Sequence, residues 1–138
     1  MSGKRSRNKG ASGERDIVNM LRAAGFHAYR GCSAQASTNT KPADVEIDAL
    51  VAGLVPWIEV KRMKRPNILG AWDQARADTA RCRVPREPIV ITRRDRGEWL
   101  LTMSFESALE VGVFSPPNPA RTLVDRIKAE IERHGSDV

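Results

Sequence analysis

Asp44-Val45-Glu46-Ile47-Asp48-Ala49-Leu50 and Val55-Pro56-Trp57-Ile58-Glu59-Val60-Lys61 decide the reading of this chain. The first stretch alternates polar and apolar residues, the period of a half-buried strand. The second reads as a further strand, with Pro56 placing its start at an edge or a bulge. Ala52 and Gly53 between them supply a short turn, so the two close as a hairpin. Parity then sorts the side chains. Glu59 and Lys61 share one face, and Ile58 and Val60 take the other. If Asp44 pairs with Glu59 or Lys61, the paired numbers sum to 103 or 105, which puts the turn between Val51 and Gly53. Asp44 then lies beside Glu59 and Lys61, with cross-strand Cβ atoms about 4.5–5.5 Å apart. Two carboxylates so close repel unless a proton or a cation sits between them. An oxygen-seeking divalent ion such as Mg²⁺ meets that need. The competing account of the hairpin alone is a solvated sheet face with cross-strand ion pairs. Glu46 and Asp48 share the face and read as surface charge.

Outward from the hairpin, a helix starts near Ser12 or Gly13, with Ser12 as cap and Glu14 and Asp16 in its first turn. Ile17, Val18, Met20, Leu21 and Ala24 follow the helical period, and Gly25 ends it. Glu14 precedes Ile17, Val18 and Leu21 by three, four and seven positions, so it lies on the apolar stripe. A carboxylate aimed at a sheet needs a polar partner, and the metal site would supply one. Phe26–Arg30 reads as a short strand and residues 31–42 as a polar loop. Ile68–Arg81 reads as a helix, Pro88–Thr92 as a buried strand and Glu98–Thr102 as another strand. Ser104 caps a short helix to Val111. Residues 120–133 form a last helix, with Leu123, Ile127 and Ile131 on one side. The order α-β-β-β-α-β-β-α-α predicts an α/β fold, a mixed central β-sheet flanked by helices.

The 138 residues fit one domain. Hydrophobic residues at 41% allow a packed core, and aromatics at 5% leave it to Leu, Ile, Val, Ala and Met. No run reaches the length of a membrane helix, and no secretory signal opens the chain, so a cytoplasmic protein with no membrane partner is expected. Cys32 and Cys82 have no metal-type spacing and read as free thiols. His27 and His134 are isolated from each other and from Cys. The 23 Lys and Arg against 17 Asp and Glu give a net charge of +6, and 17 of the 23 cations are Arg. Guanidinium forks match phosphate oxygens, so nucleic acid is the partner that this charge favours. Residues 1–12 form a flexible basic arm carrying Lys4, Arg5, Arg7 and Lys9, either a solubilising tail or a phosphate-seeking arm. Arg62-Met63-Lys64-Arg65, Arg81-Cys82-Arg83 and Arg93-Arg94 flank the acidic residues in sequence. Trp72 and Trp99 read as core or interface anchors, with base stacking as the alternative.

A helix with Glu14, a strand with Asp44 and then Glu59-Val60-Lys61 resembles the PD-(D/E)XK nuclease superfamily. Within it, Lys9-Gly10-Ala11-Ser12-Gly13-Glu14-Arg15-Asp16 resembles the opening of archaeal-type Holliday junction resolvases and their phage relatives. Gly25-Phe26, then Arg30 and Ser33, Gln74 on the second helix and the Pro88-Ile89-Val90 strand fit too, over residues 9 to 102. Pro42 is separated from Asp44 by Ala43, where many superfamily members place Pro directly before the Asp. The resemblance implies a restriction-endonuclease-like core, within a nuclease domain read over residues 13–115; the Pro-rich linker and helix over 116–138 have no match in it. It implies that Asp44, Glu59 and the Val60 carbonyl ligate Mg²⁺, with Mn²⁺ as a substitute. Glu14 would hold a coordinated water or a second metal. Lys61 would orient the attacking water, and Ser33 and Gln74 would line the site. Lys4, Arg5, Arg7, Lys9, Arg30, Arg62, Lys64 and Arg65 would contact DNA.

The function expected on this footing is a Mg²⁺-dependent endonuclease that resolves four-way junctions in branched double-stranded DNA. A homodimer is expected because the junction is nearly two-fold symmetric and one chain carries one site. Trp72, Trp99 or Phe114 are the candidate contact residues. The alternatives are a flap or repair nuclease on the same core and a non-catalytic DNA-binding module.

Overall fold

A five-stranded sheet in the order β1-β2-β3-β4-β5 organises the chain. It is seen in a computed structural model that describes residues 2–31, 42–114 and 119–135. The elements run α1 (Ser2–Ala23), β1 (Ala28–Arg30), β2 (Val45–Ile47), β3 (Val55–Arg62), α2 (Ile68–Ala80), β4 (Arg86–Arg93), β5 (Leu100–Thr102), α3 (Phe105–Glu110) and α4 (Pro119–His134). This is the expected order. The sheet is mixed: β3 and β4 are parallel and joined through α2, and every other neighbouring pair is antiparallel.

The β2–β3 hairpin has the lower of the two expected registers, because Val45 faces Ile58. Ala52 and Gly53 have φ of 50° and 77°, the paired positive values of a two-residue hairpin turn. Val51 and Leu54 bridge across that turn. Six steps of chain separate Val45 from Val51 and only four separate Leu54 from Ile58, so the β2 side carries two extra residues. Pro56 is buried opposite this irregular stretch, where its missing N–H is least needed.

Each face of the sheet has its own core. On one, Ile17 and Val18 of α1 pack with Ala28, Val45, Ile58, Val60 and Ile89. On the other, Ala71 and Ala75 of α2 pack with Ala43, Trp57 and Val90. No leucine or methionine is fully buried among the described residues. β-Branched residues and alanine fill these layers because the strands supply most of the wall and α2 lies close on alanines. Trp72 packs against the second core and Trp99 against the first, which favours the anchor reading of both over base stacking.

α1 begins at Ser2, well before the expected cap at Ser12. Two long-range contacts hold the early turns, and sequence periodicity cannot show either. The Lys9 ammonium pairs with Asp95 at 3.0 Å, and the Arg62 guanidinium donates to the Ser12 hydroxyl at 3.1 Å. Asn67 caps α2 by accepting from the Gly70 N–H, and Ser104 caps α3 as expected. Glu46 is not plain surface charge. Its carboxylate takes two hydrogen bonds from Arg86, which also donates to the Pro56 carbonyl and lies over the Trp57 ring at 5.0 Å. Asp48 is exposed, as read.

Candidate active site

Glu59 sits at the middle of β3, on the α2 side, and is fully buried at 0% exposure. A carboxylate there requires compensation. Lys61, two residues on and on the same face, supplies it with Nζ 2.7 Å from Oε1. The Lys61 side chain stays 29% exposed, so its stem reaches from solvent to the buried carboxylate.

Asp44 lies at a bend just before β2. Its N–H donates to the Ile58 carbonyl and its own carbonyl accepts from the Gly31 N–H, each at 3.0 Å. The side chain continues the ladder where β2 has ended, since Oδ2 accepts from the Val60 N–H at 2.8 Å. Asp44 is thus fixed opposite Glu59 at the mouth between β2 and β3. Gly31 makes this possible. A Cβ at that position would sit 1.7 Å from the Ala43 carbonyl oxygen, so no other residue lets the two backbones approach. By sequence, Gly31 is only the first residue of a polar loop. A signal exists all the same, a glycine directly after a strand that must pair with the start of the next.

Glu14 has a polar partner within the protein. α1 packs on the Ile58–Val60 face, opposite the face of Glu59 and Lys61. The polar partner of Glu14 is Arg30, whose Nε and Nη2 both lie 2.8 Å from Oε2. Arg30 on β1 neighbours Val45 on β2, so the pair stands beside the Asp44 end of the hairpin. Among the described residues, no group of three or more His, Cys, Asp and Glu side chains is gathered as a metal site.

The remaining candidates divide. Gln74 is an exposed residue of α2. Ser33 lies outside the described residues. Lys4, Arg5 and Arg7 are carried by the first turns of α1, and their side chains are outside the described set. Lys9 and Arg62 are engaged as above, with Asp16 a further 3.9 Å contact of Arg62. Lys64 and Arg65 are exposed just beyond β3. The Arg93 guanidinium donates to the Gly97 carbonyl and lies over Trp99.

A comparison with protein-family models matches the archaeal Holliday junction resolvase family over residues 5–102. The chain belongs to that family. Its members are Holliday-junction-resolving endonucleases, and that is the activity of this chain. The match spans every residue of the Asp44–Glu59–Lys61 arrangement and stops at the end of β5, so α3 and α4 lie beyond it. Among solved structures, the resolvase Hjc from the archaeal hyperthermophile Archaeoglobus fulgidus is similar, with 22% identity and a TM-score of 0.43. That similarity covers 65% of this chain and 72% of the other. No match was found among curated proteins. The family decides against a non-catalytic DNA-binding module and against a flap nuclease. No described helix of this resolvase is long and apolar enough to cross a membrane.

Proposed function

We propose that this resolvase cuts branched DNA at Asp44, Glu59 and Lys61 in a Mg²⁺-dependent reaction. The observation that carries the reading is the fully buried Glu59 carboxylate, ion-paired at 2.7 Å to Lys61 and faced by an Asp44 that is anchored to the Val60 N–H. The donor set fits the ion. Mg²⁺ takes hard oxygen, uses one or two carboxylates and keeps several waters, so two carboxylates suffice without a third. Asp44, Glu59 and the Val60 carbonyl would hold it, and Mn²⁺ would substitute. When bound, the metal supplies an activated water and polarises the phosphate. Lys61 would orient the attacking water and offset charge that grows at the phosphate. Glu14 sets Arg30 and would hold a coordinated water or a second metal beside the site.

Lys64 and Arg65 are exposed and ready for phosphates, and Lys9, Arg30 and Arg62 can exchange a carboxylate or hydroxyl for one. Lys4, Arg5 and Arg7 keep the phosphate-seeking role that their charge suggests, and Ser33 and Gln74 the roles that the family resemblance implies. The reading includes a homodimer in the cytoplasm, where its DNA is. Leu101, Phe105, Leu109 and Phe114 are all more than half exposed on β5, α3 and the turn after it, and interface cores favour such residues. Light scattering should give twice the 15.3 kDa chain mass, and Phe114→Asp should return it to one chain.

The decisive experiment is cleavage of a synthetic four-way junction in Mg²⁺ by Asp44→Asn and Glu59→Gln. Both should lose cleavage while still binding the junction, because the carboxylates hold metal and the cations hold DNA. In Asp44→Asn the amide keeps an oxygen for the Val60 N–H, so the fold is spared. Undiminished cleavage by either variant refutes the site.

A further inference from the structure

β1 is an edge strand of the sheet, and its residues alternate between the two faces. Ala28 is buried in the core on the α1 side. Tyr29 therefore belongs to the other face, the side of Glu59 and Lys61, and it is 46% exposed. It pairs with Glu46, whose charge Arg86 neutralises. Two residues further on, the Gly31 N–H donates to the Asp44 carbonyl. Two residues of strand span about 6.8 Å, and successive nucleotides of a stacked strand rise about 3.4 Å each. A DNA strand cut at Asp44 and Glu59 thus brings a base to Tyr29 within about two nucleotides.

The Tyr29 ring is held, and it is left open. Neither core includes it, whereas Trp72 and Trp99 both pack against the cores. His27, just before β1, meets the ring edge to face, with centroids 6.0 Å apart and planes at 62°. Such a contact fixes a ring while using at most one of its faces, so one face of Tyr29 stays available. The partner that a flat aromatic face takes from DNA is a nucleobase. Intact duplex offers none, because each base is covered on both sides by its neighbours. At a four-way branch the stack is interrupted, and a base face is exposed at small cost. Every base has such a face, so this contact reads the branch and not the sequence.

We infer that Tyr29 is a stacking platform for a nucleobase exposed at the branch point, and that it favours junctions over plain duplex whichever base stands there. Its position beside the cut rests on the assignment of Asp44 and Glu59 to the cleavage site. The ring face carries the contact and the hydroxyl does not. Tyr29 is the one tyrosine of the chain, so a tyrosine adduct with DNA reports on this residue alone.

The test uses synthetic four-way junctions with 5-iodouracil placed in turn at each nucleotide around the branch point and along the arms. They are mixed with the full chain without divalent metal, so that nothing is cut, then irradiated, and the linked peptide is mapped. Tyr29 should be linked from a nucleotide at the branch point. No link to Tyr29 from any position, or links from the arms alone, overturns the inference. Affinity for the same junction and for a duplex of the same sequence is then measured by fluorescence anisotropy. Tyr29→Ala changes an exposed side chain and should weaken junction binding about tenfold while leaving duplex binding within about twofold. Tyr29→Phe keeps the ring and should bind the junction within about twofold of wild type. Wild-type junction affinity in Tyr29→Ala, an equal loss in Tyr29→Phe, or an equal loss on duplex each overturns the stacking role. Neither measurement needs cleavage, so both fail independently of the Asp44 and Glu59 assignment, which the Glu59→Gln cleavage assay reads.

Discussion

Lys61→Met isolates the physical bond on which the site is built. It removes the ammonium charge and keeps the length of the stem. Glu59 is left at 0% exposure, with its 2.7 Å ammonium partner gone. Breaking one side of a buried pair costs about 3–5 kcal/mol, because the other charge stays desolvated. Lys61 is 29% exposed, so water can follow the vacated path, and the lower end, about 3 kcal/mol, applies. For a chain of this size each kcal/mol moves the melting temperature by about 3 °C, so Tm should fall by about 9 °C. Glu59→Gln should cost only about 1 kcal/mol, since the remaining ammonium can turn to solvent. The double variant carries no charge at the site and should be more stable than Lys61→Met alone, a coupling of about 2 kcal/mol in the thermodynamic cycle. Thermal unfolding of the four proteins by circular dichroism, without metal, reads this apart from catalysis. Mg²⁺ at millimolar concentration should then raise the Tm of Lys61→Met more than that of wild type, because the cation takes over the compensation of Glu59. A Lys61→Met melting temperature within about 2 °C of wild type, or costs that simply add in the double variant, would show that Glu59 does not depend on Lys61.

Gly31→Ala forces a Cβ to 1.7 Å from the Ala43 carbonyl oxygen, so β1 and the Asp44 bend must part; both Tm and junction cleavage should drop, and wild-type values for both would reject the close approach. Lys64→Ala and Arg65→Ala should each flatten the slope of log affinity against log salt by about 0.9 per lost phosphate contact, measured by fluorescence anisotropy on the same junction, and an unchanged slope removes them from the DNA surface. Burial pushes the Cys82 thiol above its ordinary value, against the opposing pull of the Arg86 charge. Less thiolate is then present at pH 8, so alkylation at Cys82, followed by peptide mapping, should be slower than in urea and should accelerate only at higher pH.

The element order and the hairpin register were legible because they rest on short-range rules. Alternation marks β2, small residues mark the turn at Ala52–Gly53, and parity follows from the two-residue repeat of a strand. The order of Glu14, Asp44, Glu59 and Lys61 could likewise be read along the chain. The partners of these groups could not. With 17 Arg and 6 Lys facing 17 carboxylates, sequence permits many pairings, and the sheet order selects among them. It places Arg86 of β4 against Glu46 and Trp57, and it gives Arg30 of β1 to Glu14. It also brings Lys9 to Asp95 across 86 residues of chain. Local propensity fixes which residues form strands and helices. Only the packed sheet fixes which charge is desolvated beside which, because burial and distance are properties of the assembled layers.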